Sequence, residues 1–306
     1  MRAFYSDRFV LPLPEGHRFP MSKYARVRER CLAEGILDPD GLSEPPAAGW
    51  EELALVHEDA YLSRVRDGGL SYLEQRRIGF PWSPEMVERS RRSVGATIAA
   101  SRVALAEAAA HGWGVAVNLA GGTHHAYPGH GEGFCVFNDA AVAVRVLQRE
   151  GAARRVAVLD CDVHQGNGTA AVFATDPSVF TFSIHGARNY PFRKERSTLD
   201  VELPDASGDD AFLAALELHV PHILAEFRPD LAIYLAGADP FHHDRFGRLK
   251  MTKEGLAERD RLVLSACRDA GIPTAITMAG GYARDTEDTV DIHVATIRTA
   301  RALRAM

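Results

Sequence analysis

Asp162-Val163-His164 sets a carboxylate and an imidazole two residues apart in a chain of 306 residues. In an extended segment both side chains leave the same side, so the pair is suited to hold one metal ion. Asp239, in the separate segment Leu235-Ala236-Gly237-Ala238-Asp239, offers a third ligand. One imidazole and two carboxylates with an open position suit catalytic Zn2+, and the oxygen share also admits Fe2+ or another divalent ion. Either aspartate alone reads as a helix cap or an Arg partner; their shared position favours the metal.

His124-His125 follows a Gly-Gly pair, and Asp160 closes an apolar run. A buried carboxylate beside an imidazole fixes its tautomer and raises its pKa, which tunes a histidine for proton transfer near neutral pH. Two adjacent histidines also occur as core packing; beside a metal motif they read as catalytic. Tyr282 follows Gly280-Gly281, backbone that can approach a ligand closely. Its phenol could donate to the oxyanion formed when water attacks an amide carbonyl, and a buried aromatic with a satisfied hydroxyl fits the same spacing.

Such a set works only if a scaffold brings it to one place. Continuous apolar runs at 114–119, 155–160, 179–184, 231–236 and 274–278 read as strands of a parallel sheet covered on both faces. Between them, Asn138 caps a helix over 139–150 that stops at Gly151, and Thr252 caps one running to Ala270. Ser83-Pro84-Glu85 opens an Ala-rich helix that ends at His111-Gly112, and 41–84 reads as helix fragments joined by loops. No repeat or linker divides the chain, so the expected architecture is α/β: a single domain over 1–306, a wound and mainly parallel sheet with helices on both faces. The polar clusters at 121–125, 160–164, 183–185, 237–239 and 280–282 each follow a predicted strand end, the edge where open α/β sheets bind ligands.

Composition excludes other classes. The net charge of −6, without a long Lys/Arg run, gives no basis for binding nucleic acid through its phosphates. No eighteen-residue apolar run occurs and Asp7-Arg8 interrupts the start, so a cytoplasmic protein with no membrane partner is expected. Cys31, Cys135, Cys161 and Cys267 are scattered without a C-x-x-C pair, which points to reduced, packed thiols rather than disulfides or a Cys-rich zinc site.

GGTHHA at 121–126, GFCVFND at 133–139, DCDVHQGNGT at 160–169, LAGAD at 235–239 and GGY at 280–282 occur in an order that resembles the arginase–deacetylase superfamily. The chain looks like the histone deacetylases and their bacterial acetylpolyamine amidohydrolase and acetoin-utilisation relatives over roughly its whole length. The resemblance implies the arginase/deacetylase fold and hydrolysis of an N-acylated amine, such as an acetyl-lysine peptide or a small acetylated amine. It implies Zn2+ on Asp162, His164 and Asp239, with Tyr282 assisting at the acyl carbonyl. His125 would be general base and then acid, and His124, paired with Asp160, its electrostatic support. Phe134 and Phe192 would line a narrow tunnel in which Gly133 leaves room for an alkyl chain. Main-chain oxygens of Asp160, Asp162, His164 and Ile184, with the Ser183 hydroxyl, would match the family's structural K+ site.

The chain also departs from that pattern. Asn167 stands where many members carry a second aspartate beside the general base, and a neutral amide supports an imidazolium less well, so His125 should have a lower pKa. The Gln165-Gly-Asn-Gly-Thr form and the stretch 189–196 resemble class IV deacetylases and a bacterial group near them. The loop Ile78-Gly79-Phe80-Pro81-Trp82 lacks the acidic residue that many members use to grip a peptide backbone. Phe246 stands where a smaller rim residue is common and would gate the site or select acyl length. No insertion matches the one that builds the dimer of the acetylpolyamine enzymes. Acidic residues at the tunnel mouth would favour polyamines; a deep apolar extension would favour longer acyl groups. A binuclear ureohydrolase would need further carboxylates where His164 is followed by Gln165-Gly166, and a silent acyl-lysine binder would not need the full catalytic set.

Overall fold

A computed structural model describes residues 1–305. Its sheet is built from β1 (Arg2–Phe4), β2 (Leu42–Ser43), β3 (Val115–Asn118), β4 (Val156–Asp160), β5 (Val179–Gly186), β6 (Leu199–Leu203), β7 (Leu231–Leu235) and β8 (Thr274–Thr277). The eight strands are all parallel, in the order β2-β1-β3-β8-β7-β4-β5-β6. The helices are α1 (Lys23–Ala33), α2 (Trp50–Leu53), α3 (Asp59–Asp67), α4 (Tyr72–Ile78), α5 (Pro84–His111), α6 (Asp139–Glu150), α7 (Asn167–Val172), α8 (Asp209–Phe227), α9 (Lys253–Asp269) and α10 (Thr286–Arg304).

Alternating side chains of each central strand feed opposite cores, which is why these strands are apolar throughout. Ala157 and Leu159 of β4 with Ala232 and Tyr234 of β7 join a core formed with α8, α9 and α10. Val156, Val158, Leu231 and Ile233 join the core under α5 and α6. The cap expectations hold in detail: Ser83, Asn138 and Thr252 accept from the amides of Met86, Ala141 and Gly255, and Gly112 and Gly151 end α5 and α6 in the left-handed region.

The structure adds and corrects elements. β1, β2 and β6 lie outside the five predicted strands; β1 and β2 have three and two residues, and β6, at the sheet edge, mixes polar residues into its pattern. β5 runs on to Gly186, so Ser183, Ile184 and His185 lie inside the strand rather than beyond its end. All four cysteines are buried free thiols. Among the described residues no helix is long and apolar enough to cross a membrane.

Candidate active site

The chain leaves β4, β7 and β8 at one edge of the sheet, and three short loops bring Asp162, His164 and Asp239 together there. One ligand atom from each lies within 4.8 Å of the others, and all three residues are buried. His164 Nδ1 lies 3.0 Å from Asp162 Oδ1 and 3.2 Å from Asp239 Oδ2. The loops fix the carboxylates through backbone amides: Gly280 N donates to Asp162 Oδ2 at 2.8 Å, and Val163 N to Asp239 Oδ1 at 2.9 Å. Gly280 admits no side chain, since a Cβ there would lie 1.9 Å from Asp239 Oδ2.

Asp239 Oδ2 is buried and makes no well-formed hydrogen bond; the polar side chain facing it is His164, whose Nδ1 is 3.2 Å away. Such an oxygen costs free energy unless a cation faces it. Burial and the charge of Asp162 push the Asp239 carboxyl up to about 7. Burial opposes a charge on His164, yet Asp162 and Asp239 outweigh it and raise the imidazole to about 10. Two buried carboxylates and one imidazole whose ligand atoms lie within 4.8 Å of one another fit a divalent metal ion.

The two adjacent histidines have different partners. His124 Nδ1 meets Asp160 Oδ2 at 2.6 Å; burial pulls its pKa down, but Asp160 and Asp162 more than offset this and raise it to about 9. His125 Nδ1 meets Asn167 Oδ1 at 2.6 Å, and burial with the nearby charges of His124 and His164 drives its pKa well below the ordinary imidazole range. The loop thus holds one imidazole that favours its proton and one that favours neutrality, with ring centres 4.1 Å apart.

Asn167 in turn donates from Nδ2 to Glu132 Oε1 at 2.8 Å and to the Tyr127 hydroxyl at 3.2 Å. Tyr190 donates to the same Glu132 oxygen at 2.7 Å. Burial works against the Glu132 charge, yet hydrogen bonds from His130, Tyr190 and Asn167 hold its pKa below the ordinary carboxylate value. Glu132, Tyr127 and Tyr190 were not among the sequence candidates, because only the fold brings residues 132 and 167 into contact.

A cavity of about 550 Å³ reaches these groups, lined by Asp162, His164, Asp239, His124, His125 and Tyr282. Phe134, Phe192, Phe246 and Gly133 line it as well. Phe134 and Phe246 stand 5.7 and 5.0 Å from the Tyr282 ring, centre to centre. Phe134 sits at φ 65°, a left-handed conformation that costs a non-glycine residue on the order of 1 kcal/mol and turns its ring toward the cavity. A Cβ on Gly133 would lie 2.6 Å from the His125 ring, so any side chain there would displace that histidine. Phe192 lines the cavity at its rim, 86% exposed, and a further aromatic ring, Tyr190, lies next to His125 at 5.1 Å between centres. Asp160 and Asn167 are buried behind the two histidines.

Tyr282 is buried, and burial raises its phenol well above the ordinary value, keeping it a donor. α1 supports it from behind: Lys23, fully enclosed, reaches the carbonyls of Ala279 and Gly281 at 3.4 and 3.3 Å, and its Nζ lies 5.3 Å from the Tyr282 ring centre. Ser183, by contrast, is not among the residues that line the cavity; its hydroxyl meets His185 Nδ1 at 2.9 Å.

The likeness to known proteins covers the same ground. The chain is 45% identical to an uncharacterized protein of Picosynechococcus, over 97% of both chains. It is 33% identical to the acetoin utilization protein AcuC of Bacillus subtilis, over 80% of this chain and 67% of that one. The fold superposes on an HDAC homologue from Aquifex aeolicus with a TM-score of 0.80, at 21% identity, covering 98% of this chain and 83% of that one. Residues 17–297 match the histone deacetylase domain, and with the cluster, the histidine pair and the tyrosine all inside that span, the chain belongs to the histone deacetylase family.

Proposed function

We propose that this chain is one catalytic domain, a zinc-dependent amidohydrolase that removes an acetyl or longer acyl group from an N-acyl-lysine or a similar N-acylated amine. The observation that carries the reading is the buried cluster of Asp162, His164 and Asp239, with one ligand atom of each within 4.8 Å of the others, in the cavity that also holds His125 and Tyr282. Asp162, His164 and Asp239 would hold the ion. When bound there, Zn2+ supplies a Lewis acid that polarises the acyl carbonyl and lowers the pKa of water.

The chain's own residues move the protons. His125 donates from Nδ1 to Asn167, which leaves Nε2 free to take a proton from the attacking water and pass it to the departing amine nitrogen. A depressed pKa keeps it neutral and ready as a base. His124 on Asp160 carries positive charge beside the developing negative charge. The Tyr282 hydroxyl donates to the carbonyl oxygen as that oxygen becomes anionic. Gly133, Phe134, Phe192 and Phe246 guide the alkyl chain. The structural K+ completes the proposal: Asp160 pairs in register with Ser183, so the main-chain oxygens of Asp160, Asp162, His164 and Ile184 and the Ser183 hydroxyl belong to neighbouring segments.

One observation favours acyl groups longer than acetyl. The cavity is also lined by Leu11 and by Tyr24, Ser90 and Ser93 of α1 and α5, which gives room beyond the rim and the catalytic groups. Release of acid from acetyl-, butyryl- and octanoyl-lysine peptides, before and after metal removal and zinc return, tests the reading. Zinc-restorable hydrolysis, cut at least about hundredfold in kcat by Tyr282→Phe, is the expected result. No hydrolysis of any acyl length with one zinc bound per chain would sink it.

A further inference from the structure

We infer that the substrate carries a negative charge, a carboxylate or phosphate, near its acylated amine, where Arg18, Arg77 and Arg188 receive it. This rests on the deacylase reading and adds a substrate class to it. Five exposed arginines line the catalytic cavity: Arg18, Arg77, Arg188, Arg245 and Arg248. Two are occupied, Arg245 by the Tyr282 carbonyl at 2.9 Å and Arg248 by Asp205 at 3.2 Å. The guanidinium groups of Arg18, Arg77 and Arg188 make no hydrogen bond or ion pair among the described residues. Among the described residues the carboxylates lining the cavity are Asp162 and Asp239, and both belong to the proposed metal set.

This is not a surplus of positive charge over the whole surface. The chain has 41 acidic and 35 basic residues, and exposed arginines elsewhere, such as Arg66, Arg102, Arg261 and Arg298, sit on carboxylates. A second groove of about 540 Å³ shares Arg18, Arg77, Gly133 and Phe134 with the catalytic cavity and adds Arg76, against a single carboxylate, Glu15. The unpaired charge therefore continues outward from the mouth along one side. Guanidinium forks match carboxylate and phosphate oxygens in pairs, while the second ammonium of an acetylated polyamine would meet like charges there. Charges at a rim act mainly on capture and are screened by salt, so the preference should appear in KM.

The test uses three acetamides with the same five-carbon chain on nitrogen: 6-acetamidohexanoate, neutral N-pentylacetamide and N-acetyl-1,5-diaminopentane. Acetyl-lysine peptides flanked by Glu or by Arg form a parallel set. All are given to the zinc-loaded protein at low and high salt. The expected order in kcat/KM is anion, neutral, cation, with about tenfold between the extremes, fading in salt and reversed by the triple change Arg18→Glu, Arg77→Glu and Arg188→Glu. A preference seen in the peptides assigns the anion to a protein segment; one confined to the small acids assigns it to a free metabolite. Equal rates at every charge, or preference for the cation, overturn the inference and leave the deacylase intact. Failure to hydrolyse any member, the neutral one included, overturns both.

Discussion

Asn167 is a neutral amide beside the proposed base His125, whose tautomer must be fixed for that role, and an amide can present either end. Glu132 decides which. A carboxylate only accepts, so it holds Asn167 Nδ2 toward itself and turns Oδ1 toward His125 Nδ1. Glu132 is thus a positioning residue that acts on the imidazole through the amide. Glu132→Gln lets the amide present either end, and losing one charge-assisted hydrogen bond of about 2 kcal/mol corresponds to roughly thirtyfold in kcat. Steady-state kinetics should find KM nearly unchanged; an equal loss carried by KM would mean that Glu132 only shapes the mouth. The residues that gather in the cavity, Asp162, His164, Asp239, the histidine pair and Tyr282, were readable because each falls in a short motif at a strand end. Glu132 was not, because its partner lies 35 residues away in sequence and no local pattern marks it.

Among the elements, α9 ties together the loops that carry Asp162 and Asp239. Arg259, fully buried, donates to the carbonyls of Gly237 and Cys161, just before Asp239 and Asp162. Its charge is balanced by Asp260, which also accepts from Tyr234 of β7 and Thr296 of α10, both at 2.5 Å. Removing one partner of such a pair leaves an uncompensated buried charge. Asp260→Asn should therefore lower stability by about 3 to 5 kcal/mol, measured by denaturant unfolding. The sequence showed the central strands because burial on both faces makes them continuously apolar. It hid β1 and β2, too short for any periodicity, and β6, whose LDVEL pattern at the edge looks like loop.

For the molecule as a whole, His57 links the α2–α3 connection to the catalytic half. Its Nδ1 donates to the Tyr127 carbonyl and its Nε2 accepts from the Asn138 amide, both at 3.0 Å. Burial lowers its pKa to about 4 from an ordinary 6.5. The folded form thus binds fewer protons than the unfolded one between those values. The stabilisation is complete above pH 6.5 and is lost as pH falls toward 4, by about 3 kcal/mol. Denaturant melts across that window should show the loss, and His57→Gln, which can donate and accept at the same places, should flatten the slope by about one proton.

The strand order carries a consequence for biosynthesis. β8 is the last strand to be translated, yet it lies in the middle of the sheet, between β3 and β7. Until it emerges from the ribosome, β2-β1-β3 and β7-β4-β5-β6 are separate sheets, each with an open inner edge of the kind that invites mispairing. Asp162 also waits for the Gly280 amide that follows β8. A nascent chain halted before Thr277 is therefore a client for chaperones, and the two half-sheets and the loops that carry Asp162 and Asp239 come together in one step once β8 is available.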